Sequence, residues 1–519
     1  MKQTKTFRTT DLVLSLALGF CSLALYIRTL AAGLLPGDSG EFQVLVYQLG
    51  IAHTTGYPVY MLLGKLFITL VPIGEVAYRV NLFSAVMAAT TVGLVYAGGK
   101  LLSDSRLAAL GGALALAVSF TFWSQAIIAE VYTPGAAFMA AVWVGLLAWR
   151  ETGRPRPLFA AGLCGGLGLG VHASLGFAGP AVGLFLLLHE RRWRGLWKPA
   201  LGGLLVGLIL YLAIFAAVEL NAPAANIFDA AYGPSRSAWN LTEADLANPV
   251  TRMIFIGTGR QWRTALFHDP TMMNQRLAEY AGKLPREFSL LSLGLAGLGL
   301  LALLWRERRT ALLFVAALVI NWLFCFNYHT GDIYVFYIPG YVLIAMLVAA
   351  GMAVVERAAG LLRWRGIRAA QAVVVVGLAS VAIWPVGAPR LPAVQAGQPP
   401  FIGAREYLVN AQTAGVHKIA ADTVKGLPPN AIVFTDWHWL YPYYYVAHIE
   451  MGRDDLRFIE TFSRSDRGGL PGSVVEFVRA KFGGRPIYFS RQVGEIERAG
   501  FALRPVMAGP TRLFQVQYR

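Results

Sequence analysis

Two acidic residues near the start of the chain have the types and the spacing that could do chemistry. Asp38 and Glu41 stand three residues apart in the stretch PGDSGEF, residues 36–42. On a helix this spacing places both side chains on one face. A carboxylate just outside a membrane can serve as a catalytic base. The same spacing fits a capping box, in which Asp38 accepts a free backbone N–H at the helix start. The residues alone leave both alternatives open.

The composition indicates a polytopic α-helical membrane protein. Of the 519 residues, 56% are hydrophobic and 14% are charged, whereas a soluble protein carries about 25% charged residues. The net charge of +16 does not indicate nucleic acid binding, because the basic residues sit mostly at the ends of apolar segments. The cysteines, Cys21, Cys164 and Cys325, are far apart and indicate neither a disulfide framework nor a zinc site. The first apolar segment lacks a convincing cleavage site and is predicted to remain as a span.

About eleven apolar segments approach the roughly 20 residues that a membrane crossing needs. Several are short, and the pair around His172 could be tilted or cross incompletely. The predicted spans lie near 11–30, 80–99, 107–125, 133–149, 157–172, 174–189, 199–219, 287–304, 310–326, 333–355 and 369–387.

The loops between these segments predict the orientation. Basic residues collect near 100–106, 150–156, 191–198, 306–309 and 357–368, on the same side as the basic N-terminus. The alternate loops, 130–134, 172–174 and 327–332, contain no lysine or arginine. This asymmetry predicts a cytoplasmic N-terminus and an Asp38 loop that faces outside.

Two domains are predicted. Residues 1–387 form the transmembrane domain, with large outer loops at about 31–79 and 220–286. Residues 388–519 follow a linker rich in proline and glycine, and the runs 431–435 and 485–490 read as short buried strands. We therefore expect a small soluble α/β domain on the outer side. It contains no glycine-rich nucleotide fingerprint, no P-loop and no metal-ligand spacing.

Ionisable residues recur at the predicted outer face. Each has a structural explanation when taken singly: Glu130 as a solvated turn residue, Asp332 as a helix cap, and Arg79 as a side chain that snorkels. Ionisable groups at membrane depth are nevertheless costly and usually functional. Together they predict one outward-facing site, formed by Asp38, Glu41, His53, Arg79, Glu130, His172 and Asp332.

These residues also carry a resemblance to a known family. The stretch PGDSGEF and the following GIAHTTGYP, residues 50–58, resemble the signature of a bacterial family of GT-C membrane glycosyltransferases that is related to an animal transmembrane protein O-mannosyltransferase. Further similar stretches are residues 79–84, Glu130-Val131-Tyr132, the His172 turn, residues 327–339 and residues 427–455. The resemblance covers most of the chain and implies a GT-C-like fold.

The resemblance implies an enzyme that uses a lipid-linked sugar. Mannose or another hexose would pass, with inversion, from a polyprenyl-phosphate donor to a hydroxyl of a protein or an envelope glycan. The reaction would take place on the extracytoplasmic side of a bacterial inner membrane. Asp38 would be the base, and Glu41 is the second catalytic candidate. The implied partners are the donor, the acceptor and the lipid bilayer, with no nucleic acid.

The remaining candidates would bind donor or acceptor. The departing phosphate needs cationic or hydrogen-bonding groups, which arginines and histidines supply, and acids can orient sugar hydroxyls. No metal ligand is predicted, although the number of acids leaves a divalent metal open. The predicted binding residues are His53, Tyr57, Arg79, Asn81, Glu130, Tyr132, His172, Arg260, Arg263, Asn327, Tyr328 and Asp332.

Two other classes of protein compete with the enzyme. A transporter or flippase of lipid-linked sugars would place ionisable residues midway along its spans, whereas here they collect at the ends. A non-catalytic binder of lipid-linked sugars would have no need to keep both Asp38 and Glu41.

Overall fold

The computed structural model describes residues 7–189, 195, 197–267, 269–360, 367–401, 413–461 and 469–519. Two of the basic loops that predict the orientation, 191–198 and 357–368, lie partly outside these ranges. The described chain is mostly helical and carries one five-stranded sheet near its C-terminal end.

The helices and strands have the following bounds. The first half contains α1 (Thr9–Arg28), α2 (Gly37–Gln48), α3 (Pro58–Leu70), α4 (Val76–Ser103), α5 (Arg106–Ala117), α6 (Phe120–Ala126), α7 (Tyr132–Thr152), α8 (Pro155–Gly168), α9 (Gly179–His189), α10 (Trp197–Asn221), α11 (Glu243–Ala247) and α12 (Pro249–Gly257). The second half contains α13 (Pro270–Glu287), α14 (Leu290–Arg306), α15 (Arg308–Phe326), α16 (Ile338–Ala359), α17 (Ile367–Gly387), α18 (Leu391–Ala396), α19 (Thr413–Lys425), β1 (Ile432–Thr435), α20 (Trp437–Tyr444), β2 (Arg457–Glu460), α21 (Gly472–Lys481), β3 (Ile487–Phe489), α22 (Gly494–Arg498), β4 (Phe501–Ala508) and β5 (Thr511–Tyr518).

The membrane-crossing helices confirm the predicted class but are fewer than the eleven predicted. Within the described residues, seven helices are long and apolar enough to cross, or nine if each of two bent helix pairs forms one span. The two predicted spans without a counterpart, 157–172 and 174–189, lie on either side of the His172 turn. Helix α8 has 14 residues and therefore reaches only about 21 Å, which is short of a hydrocarbon core of about 30 Å. The apolar helix Ala173–His189 on the other side of the turn is also shorter than a span.

The chain divides into two compact units. The first, called the membrane unit here, comprises Met1–Leu30, Ser84–Leu212 and Trp262–Pro400. The second, called the sheet unit, comprises Ala31–Phe83, Ala213–Gln261 and Phe401–Arg519. The two units are defined by which residues contact each other, so each contains several separate stretches of sequence. The predicted domain boundary at 387/388 stays a prediction.

Close helix packing in the membrane unit depends on small residues. Gly299 on α14 faces the carbonyl of Leu347, and Gly351 on α16 faces the carbonyl of Leu295. A Cβ atom at either glycine would collide with the opposite backbone. Glycine lets two membrane helices approach backbone to backbone, which strengthens their dispersion contact where no hydrophobic effect drives them together.

Each bent pair interrupts a helix, and the break leaves backbone groups without intrahelical partners. Helices α5 and α6 bend by 69°, and Thr271–Glu287 and α14 bend by 103°. The carboxylate of Glu287, at the second break, accepts hydrogen bonds from Ser119 Oγ at 3.1 Å and from Thr121 N at 2.8 Å and Oγ1 at 2.5 Å. Glu287 thus supplies a hydrogen-bond acceptor at the start of α6, where helix N–H groups have no intrahelical partner.

The sheet unit contains an α/β layer. Strands β1, β2 and β3 are parallel, β5 is antiparallel to β3 and to β4, and the strand order is β2-β1-β3-β5-β4. Apolar residues of α21 and of the strands form its core, among them Phe434, Val474 and Phe489. The runs 431–435 and 485–490 that were predicted as strands correspond to β1 and β3. Strand β4 contains Pro505, which suits its place at the edge of the sheet because proline donates no ladder hydrogen bond.

We predict that Glu287→Ala destabilises the membrane unit. The substitution leaves the buried donors of Ser119 and Thr121 without their acceptor, which costs about 1–3 kcal/mol. Thermal unfolding of the purified protein in lipid nanodiscs measures the effect as a lower unfolding temperature. Glu279→Ala on the same helix is the control, because Glu279 is part-exposed and pairs with Arg276, an interaction worth about 0–1 kcal/mol. Equal effects of the two substitutions would contradict the role of Glu287.

Candidate active site

Helix α2 carries Asp38 in its first turn and leaves its carboxylate accessible. The helix begins at Gly37, whose φ of 62° is left-handed, a conformation that glycine adopts readily. Pro36 is the N-cap, and no side chain caps the helix, so the capping-box alternative is wrong. Oδ1 of Asp38 accepts a 2.6 Å hydrogen bond from Nε1 of Trp437, while 36% of the Asp38 side chain stays exposed.

Glu41 follows one turn later and is fully buried. Its Oε1 accepts the backbone N–H of His53 at 2.8 Å and the phenol of Tyr441 at 3.1 Å, and its Oε2 contacts Nδ1 of His53. Burial raises the pKa of Glu41, an effect that the adjacent His53 partly offsets. Burial and the charge of Glu41 raise the pKa of Tyr441 well above its ordinary value, so the phenol keeps the proton that it donates. Glu41 therefore positions the residue 50–58 loop against α2.

His53 lies between the two carboxylates. Its Nδ1 faces Glu41, while its Nε2 lies 3.9 Å from Oδ2 of Asp38 and 3.3 Å from the phenol oxygen of Tyr57. Tyr57 donates its own proton to the carbonyl of Thr54 at 2.6 Å. The carboxylate of Glu41 favours a proton on Nδ1, which orients Nε2 towards Asp38. The imidazole therefore faces the exposed carboxylate at 3.9 Å, beyond direct hydrogen-bonding distance.

Two further acids lie at the carboxyl ends of the parallel strands, and sequence reasoning missed both. Glu460 ends β2, and Asp436 directly follows β1. Burial raises the pKa of Glu460 to about 8, and the charges of Glu41, Asp436 and Asp38 act in the same direction. The available signal was the position of Asp436-Trp437 directly after a predicted buried strand, because ligands of α/β sheets bind at the carboxyl ends of strands.

Asn81 supports the loop that leads to Asp38, whereas Arg79 contacts the end of α3. Asn81 Oδ1 accepts from Nε2 of Gln43 at 2.9 Å, and Asn81 Nδ2 donates to the carbonyl of Ala31 at 2.9 Å. Gln43 in turn accepts the backbone N–H of Leu35 at 3.0 Å. These contacts fix the backbone that leads into α2. The guanidinium of Arg79 donates to the carbonyl of Ile68 at 2.7 Å, near the end of α3.

The membrane unit gathers a second group of the predicted residues. The phenol of Tyr132 donates to Oδ2 of Asp332 at 3.2 Å. The Tyr132 ring lies 5.4 Å from the His172 ring and 5.7 Å from Phe336, and Tyr328 packs on Phe336 at 5.5 Å. The structure therefore brings Tyr132, His172, Tyr328 and Asp332 together around Phe336.

The remaining predicted residues differ in burial and in their hydrogen-bond partners. Glu130 is buried, and its backbone exchanges hydrogen bonds with the Ser84 hydroxyl at 3.1 and 3.2 Å. The amide of Asn327 donates to the carbonyl of Leu323 at 2.8 Å, which caps the end of α15. Arg260 and Arg263 are exposed on a short 3₁₀ helix, Arg260–Ala265.

The predicted residues thus form two groups, Asp38, Glu41, His53 and Tyr57 in the sheet unit and Tyr132, His172, Tyr328 and Asp332 in the membrane unit. That these groups form one site stays a prediction. Across the part of the chain that the structure describes, no group of three or more histidine, cysteine, aspartate or glutamate residues is arranged to hold a metal ion.

Two solved structures have a fold similar to that of this chain. ArnT from Cupriavidus metallidurans bound to undecaprenyl phosphate matches with a TM-score of 0.56 and 14% identity, over 98% of this chain and 97% of that one. The oligosaccharyltransferase AglB from Archaeoglobus fulgidus, in complex with an inhibitory peptide and a dolichol-phosphate, matches with a TM-score of 0.53 and 12% identity, over 98% and 74%. The fold is that of the GT-C membrane glycosyltransferases.

Sequence comparison confirms the predicted resemblance within that class. Residues 38–195 match the family model described as the protein O-mannosyl-transferase TMEM260 N-terminal domain. The mouse (Mus musculus) protein O-mannosyl-transferase TMEM260 is 41% identical over 128 residues, which are 24% of this chain and 17% of that protein. The Dictyostelium discoideum counterpart is 28% identical over 106 residues, 20% of this chain and 13% of that protein. The chain therefore matches less than a fifth of the length of these relatives.

We predict that Glu460 makes stability fall as the pH rises. Its folded pKa of about 8 lies above the ordinary value of about 4.3, so between these values the folded state holds a proton that the unfolded state releases. Glu460→Gln should therefore raise the unfolding temperature by a few degrees at pH 8.5 and leave it nearly unchanged at pH 4.5. Glu476→Gln is the control, because that side chain is 66% exposed. A pH-independent effect of Glu460→Gln would contradict the prediction.

Proposed function

We propose that this protein transfers a hexose, with mannose the first candidate, from a polyprenyl-phosphate donor to an acceptor hydroxyl. The acceptor belongs to a protein or an envelope glycan, and Asp38 is the base of an inverting displacement. The observation that carries the proposal is the exposed Asp38 carboxylate, held by Trp437 on one oxygen and adjoined by His53 on the other.

The chemistry follows from these side chains. Asp38 Oδ2 takes the proton of the acceptor hydroxyl while the acceptor oxygen bonds to the anomeric carbon. The bond from that carbon to the phosphate oxygen breaks, and its electron pair leaves with the polyprenyl phosphate. The proton then passes from Asp38 through one bridging water to His53 Nε2, which Glu41 orients and which lies 3.9 Å from Oδ2, and the carboxylate is restored. Attack opposite the leaving phosphate inverts the anomeric centre.

The nature of the substrates is supported by the relatives. The matched relatives carry the name protein O-mannosyl-transferase, and two proteins of similar fold hold undecaprenyl phosphate and dolichol-phosphate. A lipid-linked donor suits a membrane protein because its prenyl tail stays in the bilayer while the sugar reaches the site. Arg79, Arg260, Arg263 and His172 remain our candidates for the departing phosphate.

We further propose the location of this reaction. The distribution of basic residues favours a cytoplasmic N-terminus, which places the Asp38 loop and the C-terminal α/β domain on the outer side of a bacterial inner membrane. Donor, acceptor and base would then meet outside the cytoplasm.

We expect Asp38→Asn to abolish turnover without abolishing donor binding. The amide keeps an oxygen for the Trp437 indole but cannot take a proton, so sugar transfer and sugar release should fall at least 100-fold. The assay follows radiolabelled polyprenyl-phosphate mannose and glucose with purified protein in lipid nanodiscs. Asp454→Asn is the matched control, because that side chain is 81% exposed in the same unit.

Two results would refute parts of the proposal. Equal turnover by the wild type and Asp38→Asn would mean that the base is another residue. Donor binding by the wild type without any consumption of donor would favour a transporter or a non-catalytic binder of lipid-linked sugars.

A further inference from the structure

A cavity of about 510 Å³ lies in the sheet unit at the carboxyl ends of β1, β2 and β3. Its volume falls in the range of small-molecule sites, about 300–1,000 Å³. The parallel strands end there together, which is where open α/β sheets bind their ligands. The side chains that matter for its chemistry are Asp436, Trp437, Trp439, Glu460, Ser490 and Arg491.

The lining combines flat aromatic rings with hydrogen-bonding groups. Trp439 is half-buried and stacks on the buried Tyr443, with ring centroids 5.7 Å apart and planes inclined by 21°. Its ring is thus held rigid before any ligand arrives, which lowers the entropic cost of binding. Around it, carboxyl, hydroxyl and guanidinium groups supply both donors and acceptors.

This combination fits a neutral sugar ring. The C–H face of a pyranose is apolar and packs on an indole ring, while its hydroxyl groups pair with Asp436, Glu460 and Ser490. The charge of Asp436 disfavours a phosphorylated or carboxylated ligand, since like charges repel at short range, whereas Glu460, with its pKa raised to about 8, offers a hydroxyl-bearing carboxyl group to a neutral ligand. An extended peptide would need a free strand edge to pair with, and this cavity opens at the ends of the strands rather than along an edge.

One residue connects the cavity to the candidate base. Trp437 lines the cavity, and its Nε1 donates to Asp38 at 2.6 Å. A ligand in the cavity therefore lies across a single indole ring from the carboxylate. A cavity that shares a lining residue with the base suits an acceptor, whose hydroxyl must reach that base.

We infer that this cavity binds a neutral hexose unit of a glycan acceptor. The role of that glycan as the acceptor rests on the proposed function, whereas its binding does not. Binding alone requires no donor and no turnover.

The test measures binding of α-mannobiose to the full chain in lipid nanodiscs, without donor, by saturation-transfer NMR and calorimetry. Trp439→Ala should weaken binding at least tenfold, and Trp439→Phe, which keeps a flat ring, should retain most of it. The control is Trp305→Ala, because Trp305 is 86% exposed on α14 of the membrane unit, and it should bind like the wild type. Retained affinity in Trp439→Phe excludes misfolding as the cause of the loss in Trp439→Ala.

Three results would overturn the inference: no saccharide binding by the wild type, binding that Trp439→Ala leaves intact, or competition for the cavity by a serine- and threonine-containing peptide. If the wild type binds no saccharide but consumes polyprenyl-phosphate sugar normally, the inference fails and the proposed function stands. Conversely, saccharide binding that depends on Trp439 in a protein that consumes no donor would support the cavity and refute the transferase.

Discussion

The buried carboxylate of Glu41 is the interaction on which the candidate site depends. An isolated buried charge is costly and persists only when it is paired and hydrogen-bonded. Glu41 meets this condition with the backbone and imidazole of His53 and with the phenol of Tyr441. The same contacts join α2, the residue 50–58 loop and α20. Asp38 can remain exposed because its neighbour on the helix carries the structural role.

The membrane unit uses a similar device at a different place. Glu287 is buried where α13 meets α14, and it accepts hydrogen bonds from the start of α6. In both units one acid ties a break in a helix or a loop to a segment far away in the sequence. Acids of this kind resemble catalytic residues in a sequence, because composition and spacing do not reveal which oxygen atoms are already occupied.

The sequence was sufficient for the features that depend on local pattern. Apolar runs predicted the membrane helices, and two short apolar runs predicted β1 and β3. A segment that is buried along its whole length appears in the sequence as an uninterrupted run of apolar residues. The two short helices flanking His172 were overcounted as spans, since their apolar character resembles that of a true span and only their length differs. Strands β2, β4 and β5 were not predicted, and Pro505 weakens the strand pattern of β4.

The partners of Asp38 were beyond sequence reasoning for a different reason. Trp437 lies 399 residues after Asp38, and Tyr441 lies 400 residues after Glu41. No periodicity relates positions so far apart, so the paired acids were visible while the aromatic residues that orient them were not. Glu460 was missed for the same reason, because its surroundings come from β1 and α2 rather than from its own strand.

The long separation between Asp38 and Trp437 also sets the order in which the molecule can be completed. During synthesis α2 leaves the ribosome early. Its two acids can form their hydrogen bonds with Trp437 and Tyr441 only after α20 has been synthesised. Contacts between distant segments form late because closing a long loop costs chain entropy. The candidate site is therefore assembled near the end of folding, and a chain interrupted before α20 carries both carboxylates without the residues that hold them in place.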